Sequence, residues 1–261
     1  MNGGLGLVLG GGAALGFAHL GVLKYLEEID VRPSIITGTS MGALIGGLYA
    51  SGKSVNEIIS LLDDFSVFKV LDIKFVPFLT ESILNSKKIN KYLKNLFGDR
   101  LIEELKIKYG CVSVNLNKGE VFEFTKGELW EAVRCSISVP TIFEPYKYNG
   151  EKHIDGGVMD NLPTSLASKL GASKVIAVNV VDYDNALIEK KSLITSLINC
   201  ITLAQKELVK IKSKQDLLIQ MKLKEVSMGN FCSENALKAY VEGYEMVKSN
   251  YAQFINDLIK T

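Results

Sequence analysis

The chain has 261 residues, of which 47% are hydrophobic and 8% aromatic, enough to build one large packed α/β domain. Its 30 lysines and arginines stand against 29 aspartates and glutamates, so no basic field points to nucleic acid and no acidic excess points to disorder. The four cysteines, Cys111, Cys135, Cys200 and Cys232, are widely spaced without a C-x-x-C pair. That spacing argues against a zinc site or a disulfide framework and fits a reducing compartment.

The segment MNGGLGLVLGGG carries no positive region, long apolar stretch or cleavage pattern of a secretory signal. It is expected to lead directly into a first strand, LGLVLG (residues 5–10), followed by a glycine loop and a helix in which Phe17, Leu20, Leu23 and Leu26 recur at helical spacing. SIIT predicts a second strand and MGALIGGLYASG a second helix, ending at Gly52. The apolar run from Ile35 to Ala50 is broken by Gly38, Gly42, Gly46 and Gly47 and is shorter than the roughly 20 residues that a bilayer-spanning helix needs. The expected location is cytoplasmic, with peripheral contact with a membrane left open.

SVNEIISLLDDF opens with Ser54 and has Glu57 three residues later, a capping-box start for another helix. KYGCVSVNLN and EVFEFT flank an NKG turn and predict adjacent strands, and ELWEAVRCSIS predicts a helix halted before Pro140. Asn149-Gly150 marks a hairpin whose second arm ends at Asp155. NLPTSLASKLGA predicts a helix with Asn161 as cap and Pro163 in its first turn, and SKVIAVNV a buried strand. Residues 192–213 and 233–258 predict helices, with the strand DLLIQMKL between them. Helical crossovers between strands give an α/β fold with a central, mostly parallel sheet flanked by helices. With no repeat or Pro/Ser-rich linker, one domain over residues 4–261 is expected: a motif-bearing core at 4–180, then helices and one strand at 181–261.

Three glycine-rich junctions carry the chemistry. GTSMG, between strand and helix, has the G-x-S-x-G form of a nucleophile elbow, with Gly38 and Gly42 allowing the tight turn that exposes the Ser40 hydroxyl. LGGGAALG, at the end of the first strand, offers backbone N–H groups of Gly11, Gly12 and Ala13 to an anion, either a phosphate or the oxyanion of a tetrahedral intermediate. A dinucleotide site is disfavoured because the end of the second strand holds Gly38-Thr39-Ser40 instead of a ribose-binding acid, and no P-loop sequence occurs. In HIDGGVMDNLP, Asp155 follows a short strand and precedes two glycines, so it is the candidate base, set against an ordinary Asp-Gly turn. Asp160 is a rival carboxylate whose position fits helix entry. The chain holds two histidines, His19 and His153. His19 reads as a structural helix residue, while His153, two residues before Asp155, keeps a His-dependent small-ester esterase open. A non-catalytic lipid- or phosphate-binding module is the third reading.

In this order, GGGAALG, GTSMG and DGG resemble the patatin-like family of lipid acyl hydrolases, as do the blocks GFAHLGVLKYLEE and AVRCSISVPTIFEPY, over most of residues 4–180. The resemblance implies a three-layer fold and a Ser40/Asp155 dyad that works without histidine. It also implies a carboxylic-ester hydrolase of phospholipase A or lysophospholipase type, with a lipid ester as partner, a membrane surface as a possible site of action, and no metal or cofactor. The family loop commonly reads G-G-G-x-[RK]-G, and here Leu15 stands at the basic position. An aspartate with an ordinary pKa near roughly 3.9 is a weak base, so Asp155 is expected to be buried. Phe65, Phe68, Phe75 and Phe78, in an aperiodic apolar segment, are candidates for an acyl-chain wall or for ordinary core, and lysines between residues 190 and 224 for an anionic surface or a solvated helix face.

Overall fold

The computed structural model describes residues 4–61, 86–140, 142–183 and 193–260; the four candidate phenylalanines, Phe65, Phe68, Phe75 and Phe78, lie outside these residues. Among the described residues an eight-stranded sheet forms the centre. Its strands are β1 (Gly4–Leu9), β2 (Ile35–Thr39), β3 (Lys108–Asn115), β4 (Glu120–Phe124), β5 (Tyr146–Tyr148), β6 (Glu151–Asp155), β7 (Ala172–Asn179) and β8 (Leu217–Gln220). β8, β7, β1, β2 and β3 pair in parallel, whereas β4 and β6 pair antiparallel with β3, and β5 antiparallel with β6. The division follows from the connections. Parallel neighbours need helical crossovers, while the short links from β3 to β4 and from β5 to β6 reverse the chain at once. In the second of these links Asn149 and Gly150 take φ values of +48° and +84°, the left-handed pair that matches a hairpin's twist.

Strand alternation divides the sheet's side chains between two layers. Leu7, Leu9, Ile36, Ile176 and Val178 enter the larger core, with α1 (Ala18–Glu28), α2 (Met41–Ala50), α4 (Ser86–Phe97), α5 (Leu129–Ser136) and α8 (Ser233–Asn250). Val8, Ile35, Val175 and Ala177 face the other side, against Ala167 of α6 (Thr164–Lys169) and Val209 of α7 (Leu193–Lys212). The result is a helix–sheet–helix sandwich, as expected from the sequence.

Details differ from the sequence reading. The glycine loop leads first into a 3-10 turn, Ala13–Phe17, before α1 begins. α3 covers Val55–Ser60 behind the expected Ser54/Glu57 capping box. β8 is shorter than DLLIQMKL, and the last helix breaks at Tyr251 into α8 and α9 (Ala252–Lys260). Asn161 does not cap α6. Pro163 stands at that position, because the Asn161 amide is engaged by the glycine loop instead.

One feature of the sheet places the site. β4 pairs with Cys111–Asn115 of β3, overlapping both the stretch bound to β2 (Lys108–Val112) and the stretch bound to β6 (Ser113–Asn115). β2 and β6 must therefore share the edge of β3 opposite β4. They run toward each other along it, with Thr39 across from Val112 and Asp155 across from Ser113.

Candidate active site

The turn after β2 is built by close approach. A Cβ on Gly38 would lie 2.6 Å from the Gly42 backbone, and one on Gly42 would fall far inside contact distance of the Leu9 carbonyl oxygen. Small residues at both flanks let α2 start directly over the sheet, and the residue between them takes the strain: Ser40 has φ +54° and ψ −122°. Its N–H donates to Ser136 Oγ at 2.9 Å, from the last residue of α5.

Asp155 reaches the same place from the opposite direction. Gly156 follows it because a Cβ there would collide with the Val112 carbonyl of β3. The Asp155 N–H donates to the Ser138 carbonyl at 2.9 Å, and its Oδ1 accepts from Gly157 N–H at 2.7 Å. Oδ2 is buried and has no hydrogen-bond partner among the described residues. Burial pushes the Asp155 pKa up to about 6, against smaller downward pulls from the Ser40 hydroxyl and the Gly157 N–H. This is the direction expected for a carboxylate cut off from water.

Ser40 and Asp155 both line a cavity of about 210 Å³ together with Gly11, Gly12, Ala13 and Asn161. Met41, Leu44, Ile137, Phe143, Ile198 and Ile201 supply much of its apolar wall. In the glycine loop most N–H groups are already spent: Gly10 donates to Val178, Gly11 to Asn161, Ala14 to Met228 and Leu15 to Gly12. Those of Gly12 and Ala13 have no acceptor among the described residues. Ala13, like Ser40, has a positive φ (+48°). Leu15, at the position where a basic residue is common, is buried in the larger core.

The histidines lie elsewhere. His19 is fully buried with Nε2 2.8 Å from the Gly10 carbonyl, and desolvation lowers its pKa to about 4, so the ring is neutral and Nε2 donates. His153 Nδ1 meets Ser113 Oγ at 2.7 Å, and its ring packs among Phe122, Phe124 and Tyr148. It is absent from the walls of the Ser40 cavity. Asp160 also stands apart, in a separate depression with Glu123 and Lys212. Among the described residues no group of three or more His, Cys, Asp or Glu side chains could hold a metal ion, and no helix is long and apolar enough to cross a membrane.

Ser136, Asn161 and Gln205 are polar residues of the site that no sequence motif assigns to it. Ser136 lies in the AVRCSISVP block but has no spacing relation to Ser40. Asn161 reads in the sequence as a cap. Gln205 lines the cavity from α7 and donates from Nε2 to the Gly157 carbonyl at 2.9 Å. A polar residue continuing the helical stripe of Ile198 and Ile201 was the available signal for Gln205.

Similarity to known proteins extends over most of the chain. The patatin-like phospholipase family profile matches residues 7–168. Lysophospholipase NTE1 of Candida albicans is 35% identical over 187 residues, 70% of this chain and 14% of that protein. A patatin-like phospholipase domain-containing protein of Caenorhabditis elegans, ZK370.4, is 35% identical over 203 residues, again 70% of this chain and 14% of the relative. The chain thus matches only about a seventh of the length of these relatives. The crystal structure of VipD from Legionella pneumophila shares the fold, with a TM-score of 0.53 at 16% identity, covering 97% of this chain and 66% of that one. The chain belongs to the patatin-like phospholipases, a family of ester hydrolases.

Proposed function

We propose that this chain hydrolyses a carboxylic ester of a lipid, as a phospholipase A or lysophospholipase, through a Ser40/Asp155 dyad and an acyl-enzyme. The observation that carries the reading is the Asp155 carboxyl, buried with an unpartnered Oδ2 and a raised pKa in the same apolar cavity as Ser40. Ser40 Oγ attacks the ester carbonyl while its proton passes to Asp155. The oxyanion accepts from Gly12 and Ala13, whose N–H groups are unspent, while Gly11 N–H is held by Asn161. When the intermediate collapses, Asp155 returns the proton to the departing alkoxide. Water then attacks the acyl-enzyme with Asp155 again as base, releasing the fatty acid and restoring Ser40.

The apolar walls suit an acyl chain, and the names of the curated relatives favour a lysophospholipid. All four cysteines are free, which agrees with a cytoplasmic location, and an amphiphilic substrate would bring the protein to a lipid–water surface. The test is labelling with a fluorophosphonate probe together with fatty-acid release across phospholipid and lysophospholipid classes. Labelling and turnover abolished by Ser40→Ala are expected. An unlabelled, inactive wild type would instead leave a lipid- or phosphate-binding module.

A further inference from the structure

We infer that Asn161 is a positioning residue that holds the glycine loop against Ser40, an inference that rests on the dyad reading above. Asn161 grips Gly11 at both polar backbone atoms: its carbonyl accepts from Gly11 N–H at 3.3 Å, and its Nδ2 donates to the Gly11 carbonyl at 3.2 Å. The Gly11 carbonyl can only accept, so the amide orientation is fixed. The second Nδ2 hydrogen goes to the Tyr183 hydroxyl at 3.0 Å.

Oδ1 is thereby turned toward the two glycine motifs. A Cβ on Gly11 would lie 2.6 Å from Oδ1 and 3.2 Å from Ser40 Cβ, and a Cβ on Gly157 would lie 2.9 Å from the same Oδ1. One buried side chain is thus wedged between the loop and the turn that carries Asp155. Gly12 and Ala13 directly follow the gripped residue, and theirs are the N–H groups the loop leaves unspent. Ala13 holds a left-handed conformation that an isolated loop would relax. Restraining Gly11 at both ends keeps the two donors set before the oxyanion forms.

The experiment compares Asn161→Ala and Asn161→Asp with wild type by steady-state kinetics, pH profile, and binding of two lipid analogues. One analogue is a trifluoromethyl ketone, which adds Ser40 to form a tetrahedral oxyanion; the other is an unreactive ether. Both variants are expected to lose about 10- to 100-fold in kcat, as a displaced site does. Ketone affinity should fall by the same factor, with KM and ether binding retained, and in Asn161→Ala the midpoint of the pH profile should not move. Unchanged kcat and ketone affinity would overturn the inference, as would activity of Asn161→Ala recovered at high pH, since Asn161 would then act through Asp155. If Asn161→Ala fails to fold, Asn161→Asp decides by its plateau kcat, read above the raised pH midpoint that a second carboxylate beside Asp155 brings, because it keeps the shape and sets an acceptor against the Gly11 carbonyl. A wild type that takes no fluorophosphonate refutes the dyad reading, whereas a labelled wild type with a fully active Asn161→Ala refutes this inference alone.

Discussion

The Ser40 N–H donates to the Ser136 hydroxyl at 2.9 Å, tying the strained residue of the β2–α2 turn to the end of α5. Both residues are buried, so removing the acceptor leaves an N–H without water or partner, at a cost of about 1–3 kcal/mol. Ser136→Ala is expected to lower Tm by several degrees and kcat by about tenfold, which corresponds to ~1.4 kcal/mol in the barrier. Thermal unfolding and kinetics on one preparation check this. Unaltered kcat would mean that the glycines alone hold the turn.

Activity should follow the ionisation of Asp155. A base with a pKa of about 6 accepts a proton only when ionised, so kcat/KM should rise with pH through a midpoint near 6 and then level off. Asp155→Asn should lower the plateau by about 10²- to 10⁴-fold. A profile with no inflection between pH 5 and 7 would remove Asp155 from the role of base.

The same burial sets a stability trade-off. The folded pKa of Asp155 lies above its ordinary 3.8, so between about pH 3.8 and 6 the native state keeps a proton that the unfolded chain has released. Its stabilising contribution is therefore full below the lower value and lost as pH rises through the upper one. At pH 7 the buried charge costs on the order of 3 kcal/mol. Asp155→Asn should thus melt higher than wild type at pH 7, with the gap closing toward pH 4. His19, lowered to about 4, acts with the opposite sign in both proteins and cancels in the difference. Chemical denaturation at the two pH values measures it.

Two glycines of α2 should behave differently. Gly42 backs onto the Leu9 carbonyl at a distance no Cβ can share, whereas a Cβ on Gly47 would make ordinary contacts of 3.4–3.5 Å with Tyr109, Leu129 and Phe97. Gly42→Ala is expected to cost about 3 kcal/mol or more through overpacking against rigid backbone. Gly47→Ala should be neutral or gain up to about 1 kcal/mol of helix propensity. Parallel Tm measurements separate them.

His153→Ala should weaken the cluster formed with Phe122, Phe124 and Tyr148 and lower Tm, while kcat stays within about threefold of wild type, well short of the loss of a general base. A loss of kcat by two orders of magnitude or more in a folded protein would restore the His-dependent esterase.

Residue patterns along the chain suffice for the class of fold and the motifs. Crossover spacing called for a mostly parallel sheet, and the ordered glycine junctions marked Ser40, Asp155 and the loop at Gly11–Ala13, because tight turns and close backbone approach restrict which residues can stand there. Other features arise only when distant segments pack together, and no local pattern carries them. β2 and β6 meet on one edge of β3 because the local β3–β4 hairpin holds the other edge, and the two pairings that bring them there join segments far apart in the chain. The raised pKa of Asp155 depends on burial by the whole fold, and the grip of Asn161 on Gly11 spans 150 positions. Asn161 read as a helix cap because its neighbours in sequence offered it that role. Its neighbours in space offered it another, and a buried amide is satisfied by the partners within its reach.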